Sequence, residues 1–300
     1  MKHRLVVAVA WCALGACAAP EERDEARVPP DGAQGSTRVE IVAEGVLPKS
    51  ESQTFPAEDP ATGDLWFSVI GESFDTQTVR VARKTDSGWA SPEIAPFSGV
   101  WGDRAPRFSP DGASLYVTSN RPRPGSSEAG DMNVWRLERT GTGWSAPVLV
   151  DSPVNSEASD IHPSITSSAV WVASNRGGGM GRSDLYRIGS AGEVEHLGPP
   201  LNDELSQPDL WVSPDETWMI LAITDRPGGY GGDDLYVSRF ENGAWSEPVN
   251  LGPEINTAEY EYGPWVTADG EHLLFTSHRA GPSNIYRAPI QLVREALESR

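Results

Sequence analysis

The chain is 300 residues with 38% hydrophobic content and a formal net charge of −19, enough to bury one large core and too acidic to track a phosphate backbone. Its two cysteines both fall within the first seventeen residues, which leaves the body without a disulfide or a thiol nucleophile.

In chain order, Lys2, His3 and Arg4 make a basic start and Leu5–Ala13 an apolar run, which is the layout of a secretory signal. The run is well short of the ~20 residues a membrane-spanning helix needs. The segment ends in Leu14-Gly15-Ala16-Cys17, which resembles the bacterial lipobox. That resemblance implies cleavage after residue 16, lipid on Cys17 and, with Ala18 following, an outer-membrane address. Loss of Lys2 and Arg4 then leaves a charge of −21. Residues 17–36 are charged and rich in Pro and Gly, with almost nothing to bury; we expect a flexible tether reaching roughly 25 Å. The folded body is expected to occupy 37–300.

From residue 52 a phrase recurs. Its clear copies are Ser174-Asn175-Arg176-Gly177-Gly178-Gly179 leading to Asp184-Leu185-Tyr186, and Thr224-Asp225-Arg226-Pro227-Gly228-Gly229 leading to Asp234-Leu235-Tyr236. The matching aromatic stands at Trp135, Tyr186, Tyr236 and Tyr286, in steps of 51, 50 and 50. A fixed period of this length means one supersecondary unit stacked on its own copies. Turns such as Ser109-Pro110-Asp111-Gly112 precede buried-type strands such as Leu115-Tyr116-Val117, and Gly-Trp pairs at 88–89 and 143–144 precede a last short strand. Five units start near residues 52, 103, 158, 204 and 259. The fifth runs out after three strands and a helix-like 292–297, while Arg38–Val42 is a strand without a unit. The simplest closure puts 38–43 into the fifth blade of an all-β, five-bladed propeller of four-stranded antiparallel blades.

The succession Ser-Pro-Asp-Gly, Ser-Asn-Arg, Gly-rich hairpin, Asp-Leu-Tyr resembles the TolB-type, WD-repeat-like propeller of bacterial envelope proteins. The exit phrases Pro248–Gly252 and Ile255-Asn256 resemble versions found beside peptidoglycan-binding domains. The resemblance implies a fold and an envelope setting; it implies no one activity.

A ligand site is expected on the face shared by the Gly-rich hairpins and the segments leading into each first strand. Counting back from each first strand selects Gln53, Asp103, Asp160, Gln207 and Glu261 as channel-facing, with Arg104, His162, Asp209 and Tyr262 beside them. His162, Asp160, Arg104, Asp209 and Tyr262 do not recur between blades, so the repeat does not demand them. The arginines at 121, 176, 226 and 279 do recur, which favours a brace within each blade. Trp101, Tyr230 and Tyr262 are the aromatics expected at the surface. There is no Gly-x-Ser-x-Gly, His-Glu-x-x-His or calcium-loop signature. The leading expectation is a lipid-anchored, non-catalytic propeller that binds an envelope protein or glycan and no nucleic acid, without a cofactor. Its rivals are a glycosidase-like enzyme using Asp103, Asp160 and Glu261, and a scaffold whose carboxylates hold calcium.

Overall fold

The alternation of short apolar strands with Pro- and Gly-rich turns produces five antiparallel sheets in this computed structural model, which describes residues 38–48, 50–71 and 76–299. The leader 1–16, Cys17 and the tether 17–36 lie outside the described residues. The innermost strands are Gln53–Glu58, Asp103–Phe108, Asp160–Ile165, Ser206–Val212 and Glu261–Val266. Each contacts the next, and the first contacts the fifth, so the ring closes. The second strands (Leu65–Val69, Ser114–Ser119, Ala169–Ser174, Trp218–Thr224, His272–Ser277) are almost wholly buried, as their Leu, Val, Trp and Phe content requires. Third strands follow from 78, 133, 184, 233 and 284, and the outermost strands are only two or three residues long. Such short edges give another chain little to pair with.

The predicted closure is present. Glu40–Ile41 pairs antiparallel with the third strand of blade five, Glu40 opposite Arg287 and Ile41 opposite Tyr286. Val42 N–H donates to Ile285 O at 2.9 Å, and Val39, Val42 and Leu47 are buried. The C-terminal helix Gln291–Glu298 buries Leu292 and Val293 beside this seam, where Arg38 pairs with both Glu254 and Glu295. The five-bladed arrangement of antiparallel sheets that the repeat leads one to expect is what the chain forms.

The Gly-Trp pairs, and Gly243-Ala244-Trp245 in blade four, extend the third strands as small hairpins, and the indoles of Trp144 and Trp245 wedge between blades. Trp144 meets Trp66 of blade one edge-on at 6.2 Å, and Trp245 meets Trp171 of blade three at 6.0 Å. The hairpin roots bond the lead-in segments, as Asn120 Oδ1 accepts from Gly102 N–H and Asn175 Oδ1 from Ser159 N–H. Hairpins and lead-ins therefore share a face.

Candidate functional site

Every innermost strand carries an X-Pro step and a register shift. In four blades the residue before proline has positive φ: Phe55 (52°), Ala105 (49°), His162 (49°) and Gly263 (62°). For a residue with a Cβ that conformation costs about 1–2 kcal/mol. Each strained residue gains a bond to the preceding blade: Phe55, Ala105 and His162 N–H donate to Thr276, Ser68 and Thr118 hydroxyls at 2.9 Å. Because it recurs around the ring, this strain belongs to the fold. Blade four differs, its shift falling between Ser206 and Asp209, and Gly263 N–H donates instead to Asp209 Oδ2 at 3.2 Å.

Phe55, Ala105, His162, Asp209 and Gly263 thus form one layer across the axis, and all are buried. The Phe55 and His162 rings lie 4.4 Å apart. Gly263 leaves room for Phe55, whose ring a Cβ at that position would meet at 3.0 Å. His162 Nδ1 lies against Asp209 Oδ1 and 2.9 Å from Pro208 O. Burial pulls the imidazole below its usual range although Asp209 opposes it. Burial pushes Asp209 up, but His162, Arg107 and the Gly263 N–H pull it further down, so the pair is a neutral histidine beside a carboxylate. Next to this layer Arg107 is fully buried, donates through Nη1 to Pro56 O and Pro106 O, and is lowered to about 10 by desolvation against the Asp209 charge. Arg107 Nε and Nη2, His162 Nε2 and Thr54 Oγ1 have no hydrogen-bond partner among the described residues.

Toward the hairpin face the axis continues through Arg104, Tyr262 and Asp233. Tyr262 packs on Phe55 at 5.3 Å and its hydroxyl is 3.3 Å from His278 Nε2; burial, with Asp209 and Asp233 nearby, raises it well above the usual phenol range. Asp233 is pushed up to about 7, chiefly by desolvation, while a 2.6 Å bond from Thr224 Oγ1 pulls the other way.

The counted-back residues occupy equivalent places, but those places are braces. Gln53, Asp103, Asp160 and Gln207 N–H all donate to the residue before the preceding blade's third strand. Asp160 accepts from Ser156 N–H and Oγ, Ser174 Oγ and Arg176 Nη2. Asp103 accepts from Ser119 Oγ and Arg121, and Glu261 from Thr257 N–H and Oγ1 and Ser277 Oγ. Gln53 and Gln207 donate to Pro48 O and Asp203 Oδ1. All five are buried at the seam between hairpin and lead-in. The expectation that they face the channel is corrected: the axial position comes two residues later, where the bulge turns the chain inward. His162 and Asp209 do stand there, Arg104 and Tyr262 stand one residue earlier, and Asp160 does not join them.

Other repeated residues are absorbed by the fold in the same way. Arg121, Arg176, Arg226 and Arg279 lie over Trp135, Tyr186, Tyr236 and Tyr286 at 5.5, 4.8, 5.4 and 4.8 Å, which explains the 50-residue aromatic period. The first two pair with Asp103 and Asp160 on the first strand, and Arg279 pairs more loosely with Glu261 at 3.9 Å. Asp184 and Asp234 instead accept backbone N–H bonds within their hairpins. Asn256 of the exit phrase pairs its amide with Leu235 N–H and O at 2.8 Å, as Asn202 does with Leu185, so it extends a sheet by one false residue. Of the expected surface aromatics Tyr230 is exposed, Trp101 is half-buried, and Tyr262 turns inward. Sequence reasoning missed Phe55, Arg107, Asp233 and His278; an x-Pro step in each first strand was the signal for the axial layer. Among the described residues no group of three or more His, Cys, Asp or Glu gathers as a metal site, and no helix is long and apolar enough to cross a membrane.

No protein-family model matches the sequence, and no curated protein matches it. Among solved structures the chain is similar to a TolB-assigned protein from Agrobacterium tumefaciens, at 18% identity over 77% of this chain and 72% of that one, with a TM-score of 0.49. It is similar to an α-L-arabinofuranosidase from Lactobacillus brevis at 12% identity, over 83% and 92%, with a TM-score of 0.51. A puromycin-hydrolyzing peptidase from Mycobacterium tuberculosis matches at 15% identity over 81% of this chain and 36% of that one, with a TM-score of 0.46. At such identities the likeness is one of fold, and the chain is a five-bladed β-propeller of a kind that hosts unrelated chemistries.

Proposed function

We propose that this propeller is a non-catalytic binding module, anchored to a bacterial envelope by lipid on Cys17 and presenting its hairpin face to a partner protein or glycan. One observation carries the reading: the axis is filled. Phe55, His162 and Asp209 close it with side chains that are at most 2% exposed, so among the described residues this layer leaves no opening along the axis. The carboxylates of the glycosidase alternative are also engaged, apart from Asp103 Oδ2, which is buried without a partner among the described residues. Asp103 and Asp160 hold arginine and serine partners and Glu261 holds threonine and serine hydroxyls, whereas a general acid and base must reach opposite sides of a scissile bond. What remains at the surface of that face is loop, where partners are bound in scaffolds of this kind.

The test is a parallel screen of binding and turnover. The chain is offered to an array of glycans and envelope proteins while the same glycans are assayed for cleavage. Saturable binding without product supports the reading. Product formed by the parent and lost in a folded Asp233→Asn or Asp160→Asn variant overturns it. Anchoring is tested separately: Cys17→Ala should release the protein from membranes, and a Cys17→Ala chain that stays bound would refute the lipid.

A further inference from the structure

The arginines at the roots of the blade-four and blade-five hairpins are turned inward. Arg226 lies over Tyr236 and reaches Glu247, while Arg279 lies over Tyr286 and donates to the carbonyls of Glu254 and Ile255. Between these two hairpins the exposed charges are carboxylates. Asp225 N–H donates to Gly232 O at 2.6 Å and Gly232 N–H to Glu259 O at 2.9 Å, a short backbone ladder with Asp225 and Glu259 on either side of Gly232. Both acids are exposed.

The Tyr260 ring lies on Gly232. A Cβ at that glycine would fall far inside contact distance of ring atoms Cδ1, Cε1 and Cζ, so only glycine lets the ring settle there. His278 supports a second side, its ring 5.8 Å away at 67°. Tyr260, on the lead-in to blade five, is nonetheless 47% exposed, and Tyr230, in the blade-four hairpin with Gly232, is 40% exposed. The ring is therefore held in place while much of it faces solvent.

A fixed aromatic face on a glycine whose two backbone partners, Asp225 and Glu259, are exposed acids suits a cation. The ring quadrupole attracts an ammonium or guanidinium, and the carboxylates supply charge-assisted hydrogen bonds to its N–H groups. The chain's charge of −19 draws such a group in from solution. We infer that the sector of the hairpin face between blades four and five captures a lysine or arginine side chain of a partner protein, held over Tyr260 between Asp225 and Glu259. The inference rests on the binding reading above and names the partner's chemistry. A neutral glycan would also stack on a tyrosine, but it has no charge to match two carboxylates.

The experiment is calorimetric titration of the full chain with a hexapeptide of alternating Arg and Gly, with a Glu-Gly hexapeptide and cellohexaose as comparisons. The Arg-Gly peptide should bind, more weakly at 300 mM than at 50 mM salt by about tenfold, and the Glu-Gly peptide should not. Diffuse attraction to an acidic protein is separated by charge-neutral variants. Tyr260→Ala should weaken Arg-Gly binding about two- to thirtyfold while Tyr260→Phe, which keeps the ring, stays within about twofold. Gly232→Ala should behave as Tyr260→Ala does. Unchanged affinity in Tyr260→Ala overturns the inference, as does absence of Arg-Gly binding. Cellohexaose binding without Arg-Gly binding overturns the cation and leaves the binding reading standing; cleavage of cellohexaose overturns the binding reading itself.

Discussion

Asp160→Asn separates a brace from a catalytic group. The parent carboxylate is fully buried and accepts four bonds, from Ser156 N–H at 2.5 Å, Ser156 Oγ at 2.8 Å, Ser174 Oγ at 2.6 Å and Arg176 Nη2 at 2.6 Å. An asparagine keeps one acceptor oxygen and turns an NH2 toward two of these donors, so at least one donor pair faces another donor. Bonds to a charged group contribute about 1.5–3 kcal/mol each, and breaking a buried pair costs about 3–5 kcal/mol. Arg176 is not stranded, because it also holds Val154 O, Pro153 O and the Tyr186 ring. The lower end applies, about 3 kcal/mol, or roughly 6–12 °C in Tm for a domain of this size. Near-UV circular dichroism of the indoles reads the melt, with Glu157→Gln on the exposed part of the same lead-in as a control that should stay within about 1 °C. Arg176→Met should be destabilising by a similar amount, and the double variant by less than the sum. A folded Asp160→Asn that melts with the parent would refute the brace.

Other consequences are as direct. Asp233 is raised to about 7 from the ordinary aspartate value of 3.8, so between those values the folded chain keeps a proton that the unfolded chain has released; stability must fall as pH rises from about 4 to 7, and Asp233→Asn should flatten that part of a Tm-versus-pH curve. Gly181→Ala should lower the unfolding midpoint in urea by more than about 2 kcal/mol equivalent, since its Cβ would strike the backbone carbonyl of Leu205, whereas Gly177→Ala meets nothing and should be neutral or slightly stabilising. A chain beginning at residue 44 loses Val39, Val42 and the outer strand of blade five, and should melt well below one beginning at 37 and be cut faster by protease; equal resistance would refute the closure.

The architecture was legible because each blade repeats its own solution. The aromatic at 135, 186, 236 and 286 is spaced by the fold, since each packs under its blade's arginine, and the strand at 38–43 could be placed because one blade lacked a strand and one strand lacked a blade. The axial layer was less legible for a geometric reason. Alternation with period two says which residues share a face only while the register holds, and each first strand shifts register at its x-Pro step. Asp160 and His162 are two apart and look as though they share a face, yet one braces a hairpin and the other meets Phe55 and Asp209. Non-recurrence was a mixed guide, since it also selected Asp160, whose brace recurs at Asp103. It found His162 and Asp209 but passed over Arg107, which lies beyond the shift.

The seam between Glu40–Ile41 and Tyr286–Arg287 joins residues about 247 positions apart in the chain. No local contact can stand in for it, so the loop it closes spans nearly the whole domain and the ring is an arc until the two ends meet. Any load applied ahead of Arg38 also enters the domain at this two-residue strand. The first mechanical event would be the parting of that latch, which leaves blade five with three strands and all five sheets still stacked behind it.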